Sequence, residues 1–286
     1  GYQALDNENT ANDNVAVGSS ALGSQQGAAD NVGVGRSAGA SITTGDKNTA
    51  IGSNAMYTNT VGGRSVAVGY TALYYQNPVS SNAMYNTAVG YNAGNAVSTG
   101  VNNTFLGGLA GDATTTSNNN TAIGFYSLSE NTTGINNTAL GSYALFGNTT
   151  ASHNIGIGYA ALDLETTGGS NTAIGAYALT TQQGAANNTA VGYAAGNDVS
   201  TGTQNVFVGA LAGANITSAP SNTAIGYYAL QTDTQGRDTV AIGTLALQSQ
   251  NFSSSTYSYN VAVGGSSGRL LTCLLYTSDA ADDGYR

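Results

Sequence analysis

NTAIGFYSLSENTTGIN, residues 120–136, is followed at once by NTALGSYALFGNTTASH, residues 137–153. The same order of small, branched, glycine and polar positions returns after seventeen residues. The glycine of NTAIG serves as a ruler. It falls at Gly1, Gly18, Gly35, Gly52, Gly69, Gly90, Gly107, Gly124, Gly141, Gly158, Gly175, Gly192, Gly209, Gly226, Gly243 and Gly264. The spacing is 17 except for two steps of 21, which hold insertions around QNPVSSNAMY and QNFSSSTYSY. NTAVGYNAGNAVSTG, from Asn86, also matches NTAVGYAAGNDVSTG, from Asn188, 102 residues or six periods on. A short fixed period is the signature of stacked repeat architectures.

Within each rung, five strand-like residues end on the ruler glycine. Two variable residues follow, then Ala-Leu or Ala-Gly, then a polar stretch of Asn, Thr, Ser and Gly. Helical spacing is absent and turn formers fill half of each rung, so strands and turns are predicted. Parallel strands stacked one per rung make a solenoid in which each rung touches only its neighbours. The predicted fold is therefore all-β, a parallel β-solenoid of about sixteen 17-residue rungs over residues 1–271. The pattern stops at CLLYTSDAAD (Cys273–Asp282), which resembles a translated sequencing adapter. Residues 272–286 are read as a non-native or disordered tail on a fragment of a longer protein.

The position before the glycine is always Val, Ile or Leu, and the one two earlier is Thr or a branched aliphatic. Period-two alternation puts both on one face, predicted to be a buried β-branched ladder. Between them runs a column of Ala or Gly, broken only by Phe105 and Phe207. A strand apolar on both faces is covered on both faces. The rung can cover one face with its own return, and the alanine face is expected to meet another copy of the chain. That gives a homo-oligomer of cyclic symmetry. Four residues before the glycine stands Asn in thirteen of fifteen rungs, read as a turn and ladder residue. The ruler glycine itself is expected at a backbone angle that other residues avoid.

Composition narrows the function classes. The chain carries 15 acidic and 6 basic residues, and charged residues make up 7% of it, against about 25% in ordinary domains. With no basic stripe, nucleic acid is not an expected partner. No run approaches the ~18 apolar residues of a membrane span, so this segment is not expected to insert. Cys273 is the only cysteine and His153 the only histidine. His153 reads as a turn residue rather than a catalytic base. Glu130, Asp163, Glu165, Asp198 and Asp233 are scattered through turn segments. No enzyme, metal or cofactor is expected. A carbohydrate-active enzyme on the same solenoid would need a cluster of carboxylates on one wall.

The eighteen tyrosines are the remaining chemical resource. Tyr70, Tyr91, Tyr159, Tyr193 and Tyr227 follow the ruler by one place; Tyr126, Tyr143, Tyr177 and Tyr228 follow it by two. Exposed rows of this kind suit sugar or protein binding. Packing between chains is the competing reading. Ice binding through Thr arrays is disfavoured, because the neighbouring Ile/Val column is expected to be buried. The two longer rungs, with Pro78 and Phe252, are expected to project as loops.

NTAIG followed by Ala-Leu or Ala-Gly, sixteen times over residues 1 to about 268, resembles the head repeats of YadA-like trimeric autotransporter adhesins. It is also similar to repeat shafts of phage tail fibres. The resemblance implies a trimeric left-handed β-roll on a bacterial or virion surface, a virulence-type adhesin binding host protein or glycan. The rungs are a few polar residues longer than the usual head repeat, and residues 1–271 are expected to hold only head-type repeats, with no stretch among them that reads as a membrane anchor, coiled-coil stalk or self-cleaving chaperone domain. The expected location is the bacterial cell surface, outer-membrane-anchored or extracellular, with a virion tail as the alternative.

Overall fold

In the computed structural model, which describes residues 1–7, 13–80 and 83–272, the three residues before each ruler glycine form a strand. The fold is an all-β parallel solenoid of about fifteen turns, with no helix among the described residues. Two compact units divide it, residues 1–169 and 170–286. The first carries β1 (Val15–Val17), β2 (Val32–Val34), β3 (Thr49–Ile51), β4 (Val66–Val68), β5 (Thr87–Val89), β6 (Thr104–Leu106), β7 (Thr121–Ile123), β8 (Thr138–Leu140) and β9 (Ile155–Ile157). Each pairs in parallel with the next in unbroken register, as in Thr121↔Thr138 and Ile123↔Leu140. The second carries β10 (Thr172–Ile174), β11 (Thr189–Val191), β12 (Val206–Val208), β13 (Thr223–Ile225), β14 (Gly236–Arg237), β15 (Val240–Ile242), β16 (Thr256–Tyr257) and β17 (Val261–Val263). There β10, β11, β12, β13, β15 and β17 stack in parallel, and β14 pairs with β16. The adapter-like segment Cys273–Arg286 lies outside the described residues.

The ruler glycine turns the chain. Its φ runs from +125° to +142°, a region closed to side chains. A Cβ on Gly124 would lie 2.5 Å from the carbonyl oxygen of Gly141 on the next rung. The ladder continues through it, since Gly124 N–H donates to Leu106 at 2.8 Å. Beyond the glycine, the second and fourth residues are left-handed in almost every rung, as in Tyr126 (φ 55°) and Leu128 (φ 51°). A left-handed Leu costs ~1–2 kcal/mol. Its side chain is fully buried here, and that burial opposes the cost.

This turn settles which face of the strand is inside, and it reverses the expectation. The alanine column points into the roll: Ala50, Ala67, Ala88, Ala122, Ala139, Ala173, Ala190, Ala224 and Ala241 are fully buried. The Thr and Ile/Val columns point outward and are half-exposed or exposed, with Ile51, Leu106, Leu140, Ile174 and Ile225 all between 37% and 46% accessible. The physical reason is width. A Cβ on Gly33 would sit 2.7 Å from Leu22 Cγ and 3.1 Å from Ala38 O on the far wall. Beside a leucine on the far wall only Ala or Gly fits, so the bulky β-branched residues face out.

Two kinds of rung fill this narrow interior. Where the fourth residue after the ruler is Leu or Met, the seventh is polar, as in Leu128 with Asn131 or Leu162 with Glu165. Where the fourth is Gly, the seventh is Val, Ile, Leu or Thr, as in Gly39 with Ile42. Ile42 Cδ1 lies 2.9 Å from where a Cβ of Gly39 would stand, so the aliphatic chain takes the space of the missing leucine. Phe105 and Phe207, the two exceptions in the alanine column, obey the same rule. A Cβ on Gly94 or Gly111 would lie 2.7 or 2.2 Å from the Phe105 ring, and Gly196 and Gly213 stand likewise to Phe207.

Asparagine locks the register. Asn120 Oδ1 accepts from the backbone N–H of Asn137 at 2.9 Å, and its Nδ2 donates to the corner carbonyl of Gly134 at 2.9 Å. The pattern repeats at Asn31, Asn48, Asn86, Asn103 and Asn137 in the first unit and at Asn188 and Asn205 in the second. The ladder is mainly side chain to backbone rather than amide to amide. All of these asparagines are buried, which leaves none of them facing a ligand.

The longer steps meet the expectation of projecting loops only in part. Pro78 is buried against Gly62, and Phe252 is 4% accessible and packs on Gly236. Among the described residues of these steps Val79, Tyr85, Ser253–Ser255, Tyr257 and Tyr259 are exposed, so the insertions reach solvent while Pro78 and Phe252 pin them to the roll. Phe105→Ala is expected to open a cavity between Gly94 and Gly111 and to cost ~3–5 kcal/mol, read from the denaturant midpoint of the unfolding transition.

Candidate binding surfaces

Two surfaces distinguish this solenoid. The first is the outward strand face. Among the described residues its two columns contain only Thr, Val, Ile and Leu, with no charge in either unit. The ground on which ice binding was disfavoured, burial of the Ile/Val column, does not hold in this structure.

The second surface is the wall that follows the ruler glycine. Tyr70, Tyr91, Tyr159, Tyr193 and Tyr227 are all exposed there, between 48% and 56%. They do not form one continuous row. Within the first unit Tyr70 and Tyr91 stack at 5.7 Å and 9°, while Tyr159 meets Tyr143 edge-on at 6.1 Å. The rungs between Tyr91 and Tyr159 place Gly108, Phe125 and Ser142 in that column. In the second unit Tyr193 meets Tyr177 edge-on at 6.1 Å, and Tyr227 meets Tyr228 at 4.1 Å.

The structure adds a column that sequence reading missed. Tyr57 and Tyr74 stand five places after their ruler glycines and stack at 5.2 Å and 14°. Tyr75 packs edge-on against Tyr74 at 4.7 Å. The alternating left-handed residues bring the first and fifth places onto one wall, so spacing alone gave no sign of it. Burial first, then the neighbouring phenols of Tyr57, Tyr75 and Tyr70, hold the Tyr74 hydroxyl above its ordinary pKa. Phe125, Tyr126, Tyr143 and Phe146 make a second aromatic cluster further along.

The ionisable residues are dispersed. His153 sits at an exposed left-handed turn, with Nε2 3.1 Å from the amide nitrogen of Asn136. Glu165 is buried and accepts from the backbone N–H groups of Thr167 and Gly168 at 3.0 and 2.5 Å. Asp233 is buried too. Its Oδ1 accepts from the N–H groups of Gln235, Gly236 and Phe252, and its Oδ2 accepts from Gln250 Nε2. Both carboxylates close corners of the solenoid, the task Asn59 performs in its own rung by accepting from Gly62 N–H. Asp163 has the opposite setting. Its Oδ1 is buried without a hydrogen-bond partner, and burial first, then the Glu130 charge, raises its pKa. Among the described residues no group of three His, Cys, Asp or Glu side chains could hold a metal ion, and no helix is long and apolar enough to cross a membrane. No protein-family model matches the chain, and no curated protein matches it.

Two outcomes follow from these settings. Asp233→Ala strips the acceptor from three backbone N–H groups, each worth ~1–3 kcal/mol when left buried and unpaired, so a marked loss of thermal stability is expected by calorimetry. Asp163 binds its proton more tightly folded than unfolded. Its charge therefore costs stability at neutral pH, and that cost fades as pH falls through the carboxylate range. Asp163→Asn is expected to raise the unfolding temperature at pH 7, with the gain shrinking in acid.

Proposed function

We propose that this chain is a non-enzymatic segment of a surface fibre or adhesin head, which associates with copies of itself and attaches a bacterial surface to host protein or glycan. One observation carries the reading: a sheet face free of charge, built of β-branched side chains and left half-exposed by the chain itself. Single soluble chains rarely expose contiguous apolar patches beyond a few hundred Å². The simplest cover is another copy of the chain, because the same uncharged columns recur at every rung and can be gathered around one axis. Three copies is the number suggested by the resemblance to YadA-like heads; the face itself asks only for cover. The Tyr-rich wall stays outside such an assembly, and its repetition around the fibre gives avidity from individually weak contacts.

Light scattering on the purified chain tests this. The expected mass is three times that of the 28.5 kDa chain. Ile123→Lys together with Ile174→Lys places cations on the face and is expected to release single chains that keep their β circular dichroism. A native 28.5 kDa species would overturn the reading. If that species also shaped ice crystals, the Thr–Ile face would belong to ice instead.

A further inference from the structure

The wall of the first unit holds a cleft of about 310 Å³ whose chemistry is more specific than an aromatic row. We propose that this cleft, between the Tyr70–Tyr91 stack and the Tyr74–Tyr75 pair, binds a neutral pyranose unit of a glycan. The inference deepens the attachment reading above and rests on it, but every group involved comes from one chain.

Three features select the ligand. The first is the rings, whose flat faces match the C–H faces of a pyranose. Tyr70, Tyr75 and Tyr91 are 50–56% exposed, and Gly108 follows Tyr91 in its column, so no side chain from the next rung covers that ring from the same position. The second is a pair of amides anchored on one threonine. The Thr71 hydroxyl lies against both Tyr70 O, at 2.8 Å, and the Asn92 amide, and Asn95 Nδ2 donates to the Thr71 carbonyl at 3.0 Å. One end of the Asn92 amide and the Asn95 carbonyl remain to meet a ligand. Adjacent sugar hydroxyls can donate to the Asn95 carbonyl and exchange a hydrogen bond with the Asn92 amide in either sense. Asn54 adds a further amide at the rim. The third is charge: no ionisable side chain other than the tyrosines lines the cleft. A sialylated or sulfated sugar would find no cation there. The cleft around Tyr177 and Tyr193 differs on this point, since Asp198 lines it. A proline-rich peptide would also stack on tyrosines, but its prolines carry no N–H to donate to Asn95. The volume, at the small end of the ~300–1,000 Å³ range of ligand pockets, suits one or two sugar units.

The test is an array of neutral, sialylated and sulfated oligosaccharides probed with the intact chain, alongside proline-rich peptides. Binding to at least one neutral glycan is expected. Tyr91→Ala, and separately the pair Asn92→Ala and Asn95→Ala, should weaken it about tenfold or more, while Tyr91→Phe retains most of it. Unchanged unfolding temperatures would show that the variants remain folded. Binding only to acidic glycans or to the peptides, no binding to any neutral glycan, or indifference to Tyr91→Ala would overturn the assignment. The mass measurement separates the two proposals. A trimer that ignores neutral sugars sinks the cleft alone, and a single chain that binds them sinks the shared sheet face alone.

Discussion

A turn of seventeen residues encloses an interior so narrow that the side chain of one wall touches the backbone of the other. A Cβ on Gly156 would lie 3.0 Å from Ala161 O and 3.1 Å from Leu145 Cγ. Everything else in the structure answers to that width. It forces Ala into the strand centre and drives Thr, Val and Ile outward. It makes left-handed leucines tolerable, because their side chains are the main filling. It also buries the backbone corners, and side-chain amides and carboxylates take their hydrogen bonds. Buried Glu165 and Asp233 are held by N–H groups at these corners, much as Asn holds the register at the start of each strand.

Much of this was legible in the residues. The ruler glycine gave the period, its φ of +125° to +142° fulfils the expectation of a special backbone angle, and the polar half-rungs gave the turns. The parallel register followed from the period alone. The facing of the strand was not legible, because Ala is equally at home in a tight core and in a tight contact between chains. Its neighbours, Thr or branched aliphatics with no charge among them, offered no decisive polar face to break the tie. The decision was made by conformation at Leu128, Leu145 and their equivalents, where φ lies near +50°. Nothing in the identity of leucine announces that angle, and only the packed rung sustains it. The same angles carry Tyr57 and Tyr74 onto the wall of Tyr70 and Tyr91, which is why that cluster was invisible in the spacing.

Two copies of one block within the chain show how core and wall are constrained separately. The rungs from Asn86 and those from Asn188 share the trio of two glycines around a phenylalanine: Gly94, Phe105 and Gly111 in one, Gly196, Phe207 and Gly213 in the other. The trio spans neighbouring rungs and works only as a set. A lone Phe would strike a leucine, and a lone pair of glycines would leave a void. The wall is under no such joint restraint. Asn92 becomes Ala194, and in the preceding rung Thr71 corresponds to Tyr177 and Tyr74 to Thr180. The same scaffold thus carries an uncharged amide-bearing cleft in one block and an aspartate-lined one in the other. A solenoid of this kind can change what its wall recognises rung by rung without disturbing its core, because the residues that fill the roll and those that face solvent are different positions of the same short period.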